Sequence, residues 1–190
     1  MGLSKESRGS VEVICGCMFS GKSTELIKRV EAARLAGHKI QIFNSVLDKR
    51  YTKKGIATHN AKKLAAVSVA KAEDILPLIN KDTNLVAIDE INFFSKEIAE
   101  VAATLAATGV RVICAGLDLD YKARPFESTS HLLAIAGKVD KLTARCAVCG
   151  GVANRTQRKA KVKALVFVGG ADDYEARCPA CHSFFENADL

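Results

Sequence analysis

Proline is scarce in this chain, 3 residues in 190, and glycine reaches only 13, so neither a fibrous repeat nor a low-complexity disordered chain fits the composition. No apolar run approaches the roughly 18 residues that a membrane-spanning helix needs, which excludes one. The opening MGLSKESRGS lacks an apolar h-region; nothing in it marks secretion, and the expected location is cytoplasmic. Seven cysteines, an odd number in a chain without an export signal, argue against a disulfide framework and for metal ligation. What remains is an ordinary globular balance, 48% hydrophobic and 26% charged. A chain of this length buries roughly 70% of its unfolded surface, enough for one sizeable core and a small appended module. The formal charge of +7 suits anionic ligands, nucleotides and nucleic acid alike.

Short β-rich runs alternate with helical ones, which predicts a parallel sheet with crossover helices, an α/β fold. VEVIC (11–15) leads into an amphipathic helix over 23–36, whose Leu26, Ile27, Val30 and Ala33 share one face. Gly37 sits where a C-terminal cap belongs. KIQIF (39–43), AAVSV (65–69), LVAID (85–89) and VRVICAG (110–116) continue the strands, with helices expected over about 96–107 and 128–136. Beyond Val139 no long amphipathic helix remains. The chain is therefore expected to divide into a nucleotide-binding α/β domain, residues 1–140, and a zinc-binding domain, residues 141–190.

GCMFSGKS, residues 16–23, meets the pattern G-x-x-x-x-G-K-[ST] with Gly16, Gly21, Lys22 and Ser23, after a strand and at the start of a helix. Such a loop curls so that backbone N–H groups point at phosphate oxygens, and the helix N-terminus adds partial positive charge. The expected cradle for ATP is the run Gly16, Cys17, Met18, Phe19, Ser20, Gly21, Lys22, Ser23 and Thr24. Within it Lys22 reaches the β and γ phosphates and the Ser23 hydroxyl ligates Mg²⁺. A second acidic group for magnesium belongs at the end of an apolar strand, and LVAIDE supplies Asp89. Neighbours on a strand point to opposite sides, so Asp89 is expected to face the metal and Glu90 an acceptor. Glu90 would take a proton from a substrate hydroxyl in a kinase or from water in an ATPase; the dipeptide alone leaves both open.

Cys146-x-x-Cys149 and Cys178-x-x-Cys181 form two thiolate pairs, the arrangement of a closed structural Zn²⁺ site. The pairs lie 28 residues apart, so a loop must project between them, carrying the basic stretch RTQRKAKVK (155–163). His182 is a substitute ligand, but Cys181 matches the spacing of the first pair and is preferred. Redox chemistry at one CxxC is the alternative, disfavoured because two pairs sit in one module. Cys15, Cys17 and Cys114 read as small buried thiols, and His38, His59 and His131 as ordinary polar residues.

GCMFSGKST, DKRY (48–51), THN (58–60), DEINFF (89–94), AGLDLDYKARPF (115–126), KLTARCAVCG (141–150) and GGADDYEARCPAC (169–181) together resemble the type II, cytosolic-type thymidine kinases, in the family's order. The resemblance implies ATP-dependent phosphorylation of the thymidine 5'-hydroxyl, and of deoxyuridine, in pyrimidine deoxynucleotide salvage for DNA synthesis. It implies a RecA-like P-loop core with a parallel sheet and flanking helices, plus a small zinc-binding lobe whose lasso loop closes over the nucleoside. Glu90 falls on the family's general base, Lys22 on its phosphate lysine, and Asp89 with Ser23 on its magnesium-linked residues. Asp48 and Arg50 fall on the polar pair near the transferred phosphoryl group. Met18, Phe93, Leu117, Tyr121, Phe126, Thr156, Leu165 and Tyr174 match positions lining the nucleoside pocket. Inhibition by the end product dTTP and a homotetramer are also implied. Asn92 stands where the family usually has Gln, and Tyr121 where it usually has Phe. Lys159, Lys161 and Lys163 make the lasso unusually basic.

The rival reading is a P-loop ATPase with a zinc-ribbon nucleic-acid module, in which the basic loop binds phosphates. DKRY and GLDLDYKARPF have no role in it but match the kinase segment by segment, so nucleic acid is not the expected partner. The phosphate loop lies about 130 residues before the first CxxC. The phosphate and zinc sites are therefore expected to fail separately, zinc removal weakening thymidine binding roughly tenfold while ATP binding changes little.

Overall fold

The computed structural model describes residues 9–47, 56–57, 63–159 and 169–183. Asp48, Arg50, Leu165, Lys161 and Lys163 lie outside the described residues. Alternation of strand and helix gives β1 (Ser10–Gly16), α1 (Lys22–Leu35), β2 (Ile40–Ser45), the short hairpin strands β3 (Ile56–Ala57) and β4 (Lys63–Leu64), and β5 (Val67–Val69). A 3₁₀ turn at Glu73–Leu78 precedes β6 (Leu85–Ile88), a second at Ile91–Phe93 precedes α2 (Ile98–Ala107), and β7 (Arg111–Gly116), α3 (Glu127–Ile135) and β8 (Lys138–Leu142) complete the layer.

Six of these strands form one parallel sheet in the order β5-β2-β6-β7-β1-β8. This is the expected RecA-like α/β core: β7 is inserted between the phosphate-loop strand β1 and the acidic strand β6. Open α/β sheets hold ligands at the carboxyl ends of their strands, where here the phosphate loop leaves β1 and Asp89 follows β6.

Period-two alternation builds a core on each face. Val11, Val13, Cys15, Val86, Ile88, Val112 and Cys114 face α2 and α3, whereas Ile14, Leu85, Ala87, Ile113 and Ala115 face Leu26, Ile27, Val30 and Ala33 of α1. Each fully buried Leu, Ile or Val contributes about 1.5–3 kcal/mol by leaving water. Helix α1 ends as the sequence indicates: Gly37, at φ 86, lets His38 N donate to Ala33 O and Gly37 N to Arg34 O, closing the last orphan carbonyls.

Arg29 pins α1 to two strands, and through Glu12 to a third. It donates to Glu25 (2.9 Å) on its own helix, to Glu12 (3.0 Å) on β1 and to Asp140 (2.7 Å) on β8, while Arg111 of β7 donates to Glu12 at 2.6 Å. Burial by itself would raise the Glu12 pKa, but the Arg111 hydrogen bond and charge, with Arg29 and Lys138, outweigh it and hold the carboxyl below its ordinary 4.5. A group depressed in the folded state adds stability above its unfolded pKa and loses it as pH falls through the folded one. Glu12→Gln is therefore expected to cost about 1–2 kcal/mol at neutral pH by leaving two partly buried arginines without one of their anions. The variant should also lose less further stability than the parent on acidification below pH 4.5. Parallel acid profiles in denaturant melts of the two proteins would count against this.

After β8 come β9 (Ala144–Arg145) paired with β10 (Val152–Ala153), and β11 (Arg155–Arg158) paired with β12 (Tyr174–Arg177), both antiparallel. Among the described residues no helix is long and apolar enough to cross a membrane.

Candidate active site

The phosphate loop is built by strain and tight packing. Gly16 has φ 141, and a Cβ there would lie 2.2 Å from Leu142 O, so no side chain fits. Phe19 takes φ 64 and Gly21 φ 88 before α1 begins. Lys22 is buried at 9% exposure, with Nζ donating to Cys17 O at 2.7 Å. Burial pulls its pKa down, against the charges of Glu90, Asp89 and Asp118. The ammonium thus sits inside the loop with carboxylates around it.

Asp89 and Glu90 follow β6, as the sequence indicates, but not as alternating strand neighbours. The strand stops at Ile88, and Glu90 turns left-handed at φ 53, ψ 43. That turn, rather than the pleat, sets the Glu90 direction. A non-glycine residue held there costs about 1–3 kcal/mol, the kind of strain that collects at functional sites. Asp89 is buried, accepting from Glu90 N at 2.9 Å and from the Ser23 side chain. Burial and the Glu90 charge push its pKa up to about 7, against those hydrogen bonds and Lys22. A carboxylate so crowded by anion and desolvation, beside a hydroxyl, is a hard-oxygen corner suited to Mg²⁺.

Asp118 is a carboxylate to which the sequence reading assigned no role, although it lies inside the GLDLDYKARPF segment. It is 5% exposed and pairs with Lys141 Nζ at 2.9 Å, bridging across the end of β1 from the β7 side to β8. Its loop is held ready: Asp120 accepts from Lys122 N, Arg124 N and Arg124 Nε at 2.8–2.9 Å, and Phe126 N donates to Asp118 O. Asn92 Oδ1 accepts from Leu117 N at 2.9 Å. The shorter Asn at this position therefore fixes the backbone of a candidate pocket residue, with Phe93 beside it.

The four thiols of Cys146, Cys149, Cys178 and Cys181 lie within 4.8 Å of one another. The Cys149 and Cys178 sulfurs are 3.7 Å apart, close to the ~3.8 Å edge of a tetrahedron of Zn–S bonds of about 2.3 Å. Backbone N–H groups of Cys149 and Cys178 pull Cys146 down to about 6, whereas Cys181, as donor to Cys178 and Cys149, is pushed up to about 12. The donor set fits zinc, which would displace the remaining thiol protons. His182 is not among these ligands. It is buried, with Nε2 3.0 Å from Tyr121 O.

One expectation meets contacts that argue against it. The phosphate loop and the cysteine lobe, remote in sequence, touch: Met18 N donates to Thr156 Oγ1 at 3.0 Å and Cys17 Sγ to Ala153 O at 3.5 Å. Cys17 also shares an apolar cluster with Cys146, Ala153 and Ala176. Independent failure of the two sites presumed separate bodies, and these contacts join them. Thr156, Tyr174 and Tyr121 are buried, and Met18, Phe93, Leu117 and Phe126 are half-buried. Lys159, one of the three lysines that make the lasso basic, donates Nζ to Ala171 O at 2.8 Å across its own loop.

The family model for thymidine kinase matches residues 9–182. Proteins named thymidine kinase from two strains of Chloroflexus aurantiacus are each 46% identical over 183 residues, covering 92% of this chain and 94% of theirs. Among solved structures, the chain is similar to the flagellar accessory protein FlaH from Methanocaldococcus jannaschii, with TM-score 0.47, 15% identity and coverage of 78% of this chain and 76% of that one. It is also similar to the Legionella pneumophila ATPase DotB, with TM-score 0.42 and 17% identity over 67% of this chain, spanning only 34% of DotB. At those scores the fold rests on the sheet order and the phosphate loop themselves. The sequence match, by contrast, runs through the phosphate loop, the acidic pair and all four cysteines, and the chain belongs to the thymidine kinase family of enzymes.

Proposed function

We propose that the protein transfers the γ-phosphoryl group of ATP to the 5'-hydroxyl of thymidine, and of deoxyuridine, as a salvage step supplying DNA synthesis. The observation that carries this reading is the Met18–Thr156 bond, by which the neck of the loop between the CxxC pairs bears on the phosphate cradle. A nucleoside under that loop would have its 5'-hydroxyl beside the triphosphate. Backbone N–H groups of the Gly16–Thr24 run other than that of Met18, with the Lys22 ammonium, hold the phosphates, and Asp48 and Arg50 act near the transferred group. Asp89 with Ser23 holds Mg²⁺, which neutralises phosphate charge when bound. Glu90, turned out of β6, accepts the hydroxyl proton as the oxygen attacks. Met18, Phe93, Leu117, Tyr121, Phe126, Thr156, Leu165 and Tyr174 line the nucleoside pocket, and Cys146, Cys149, Cys178 and Cys181 hold a structural Zn²⁺. A homotetramer remains part of this reading, with the edge strand β8, which exposes Val139, as a candidate contact.

The test is direct assay of purified protein with Mg-ATP and thymidine, deoxyuridine or deoxycytidine, alongside ATP hydrolysis with single-stranded DNA. Formation of the monophosphate from thymidine is expected. DNA-stimulated hydrolysis without nucleoside phosphorylation would replace this reading with the ATPase. We further expect dTTP to inhibit by placing its base in the nucleoside pocket and its phosphates on the cradle. Raising ATP and thymidine together to saturation should relieve the inhibition, and inhibition unmoved by both would place dTTP elsewhere.

A further inference from the structure

Arg158 ends β11 and pairs across the ladder with Tyr174, the first residue of β12, so the two stand at the neck of the loop between them. An arginine at a strand end ordinarily carries its charge into water. This one is 8% exposed. Its Cζ lies 3.7 Å from the centroid of the Tyr121 ring and 5.4 Å from that of Tyr174, and its Nε donates to the Tyr174 hydroxyl at 3.2 Å. One guanidinium therefore joins a ring from the core's 117–126 loop to a ring from the cysteine lobe. His182 adds a second tie, its Nε2 lying 3.0 Å from Tyr121 O. Lys122 approaches the Tyr121 ring only to 5.4 Å. A planar guanidinium can stack on one aromatic and hydrogen-bond another at once, which an ammonium cannot, and desolvation strengthens its attraction to the ring.

We infer, on the reading of Tyr121 and Tyr174 as pocket residues, that Arg158 is a positioning residue for the nucleoside: it clamps the two rings in one arrangement, so that the base meets a preformed surface. Arg158 works through the rings and not on the reacting atoms. Its loss therefore disorders the pocket before the substrate arrives and leaves the phosphate chemistry in place.

Steady-state kinetics of Arg158→Met and Arg158→Lys test this, with zinc content and thermal melting measured on each. Arg158→Met is expected to raise the thymidine KM at least ~tenfold and Arg158→Lys about threefold, with kcat and the ATP KM within about twofold and zinc unchanged. In a Tyr121→Leu background the Arg158→Met effect should fall to less than about a third, since its stacking partner is gone. An unchanged thymidine KM in Arg158→Met, or a rise shared equally by both substrates, overturns the clamp. Should Arg158→Met not fold, Arg158→Lys decides on the same terms. A parent protein that does not phosphorylate thymidine defeats the functional reading; an active parent whose Arg158 variants keep its thymidine KM defeats only the clamp.

Discussion

Glu90→Gln is expected to bind ATP as the parent does and to lose at least ~10²-fold in turnover. The substitution keeps size and hydrogen-bonding capacity but removes the only function the proposal asks of this side chain, acceptance of the hydroxyl proton. The phosphate cradle is untouched, because Lys22 is anchored on Cys17 O and the Gly16 turn is set by contact with Leu142. Asp89 loses its anionic neighbour, so its raised pKa should fall and metal binding should not weaken. Nucleotide titration by calorimetry and turnover assay on the same preparation separate the two effects. Near-parental turnover would remove Glu90 from the role of base, and lost ATP binding would mean that its left-handed turn serves the fold instead.

Zinc removal is expected to weaken both substrates. Thymidine affinity should fall at least ~tenfold, a free-energy change of about 1.4 kcal/mol, because the metal anchors both ends of the loop that bears on the nucleoside. ATP affinity should fall several-fold as well. Cys17 packs against Cys146 and donates to Ala153 O, and Met18 N donates to Thr156 Oγ1, so a loosened lobe releases two residues of the phosphate loop. The measurement is paired calorimetry on holo and chelator-treated protein, after circular dichroism has established that the sheet survives. Thr156→Val in the holo protein isolates the Met18 contact and should reproduce part of the ATP loss. Unchanged ATP affinity in stripped protein would restore the independence that sequence separation suggested.

The parts of the molecule that were legible in the sequence are those whose physics is local. Helix α1 and its Gly37 cap follow from 3.6-residue periodicity and one left-handed glycine. The phosphate loop is a contiguous run whose glycines and lysine act within a few residues of one another, and the four cysteines declare themselves by spacing because a tetrahedral thiolate site needs two close pairs. Even Asp118 and Arg158 were in view, the first inside a segment that resembles a family motif, the second inside a basic stretch. Neither could be given a partner, since a run of residues does not say what lies opposite it.

By itself, then, the sequence determined the α/β class, the phosphate-loop run, the acidic pair and the cysteine quartet, each written in neighbouring residues. Tertiary structure alone decided the rest. It inserted β7 between β1 and β6, turned Glu90 left-handed where β6 ends, carried Asp118 across β1 to Lys141, and set Thr156 against Met18. It also took Arg158 out of solvent and laid it on Tyr121. Those outcomes depend on which strand lies beside which, and strand order is settled by burying both faces of one sheet together, a condition on the whole chain that no local periodicity expresses.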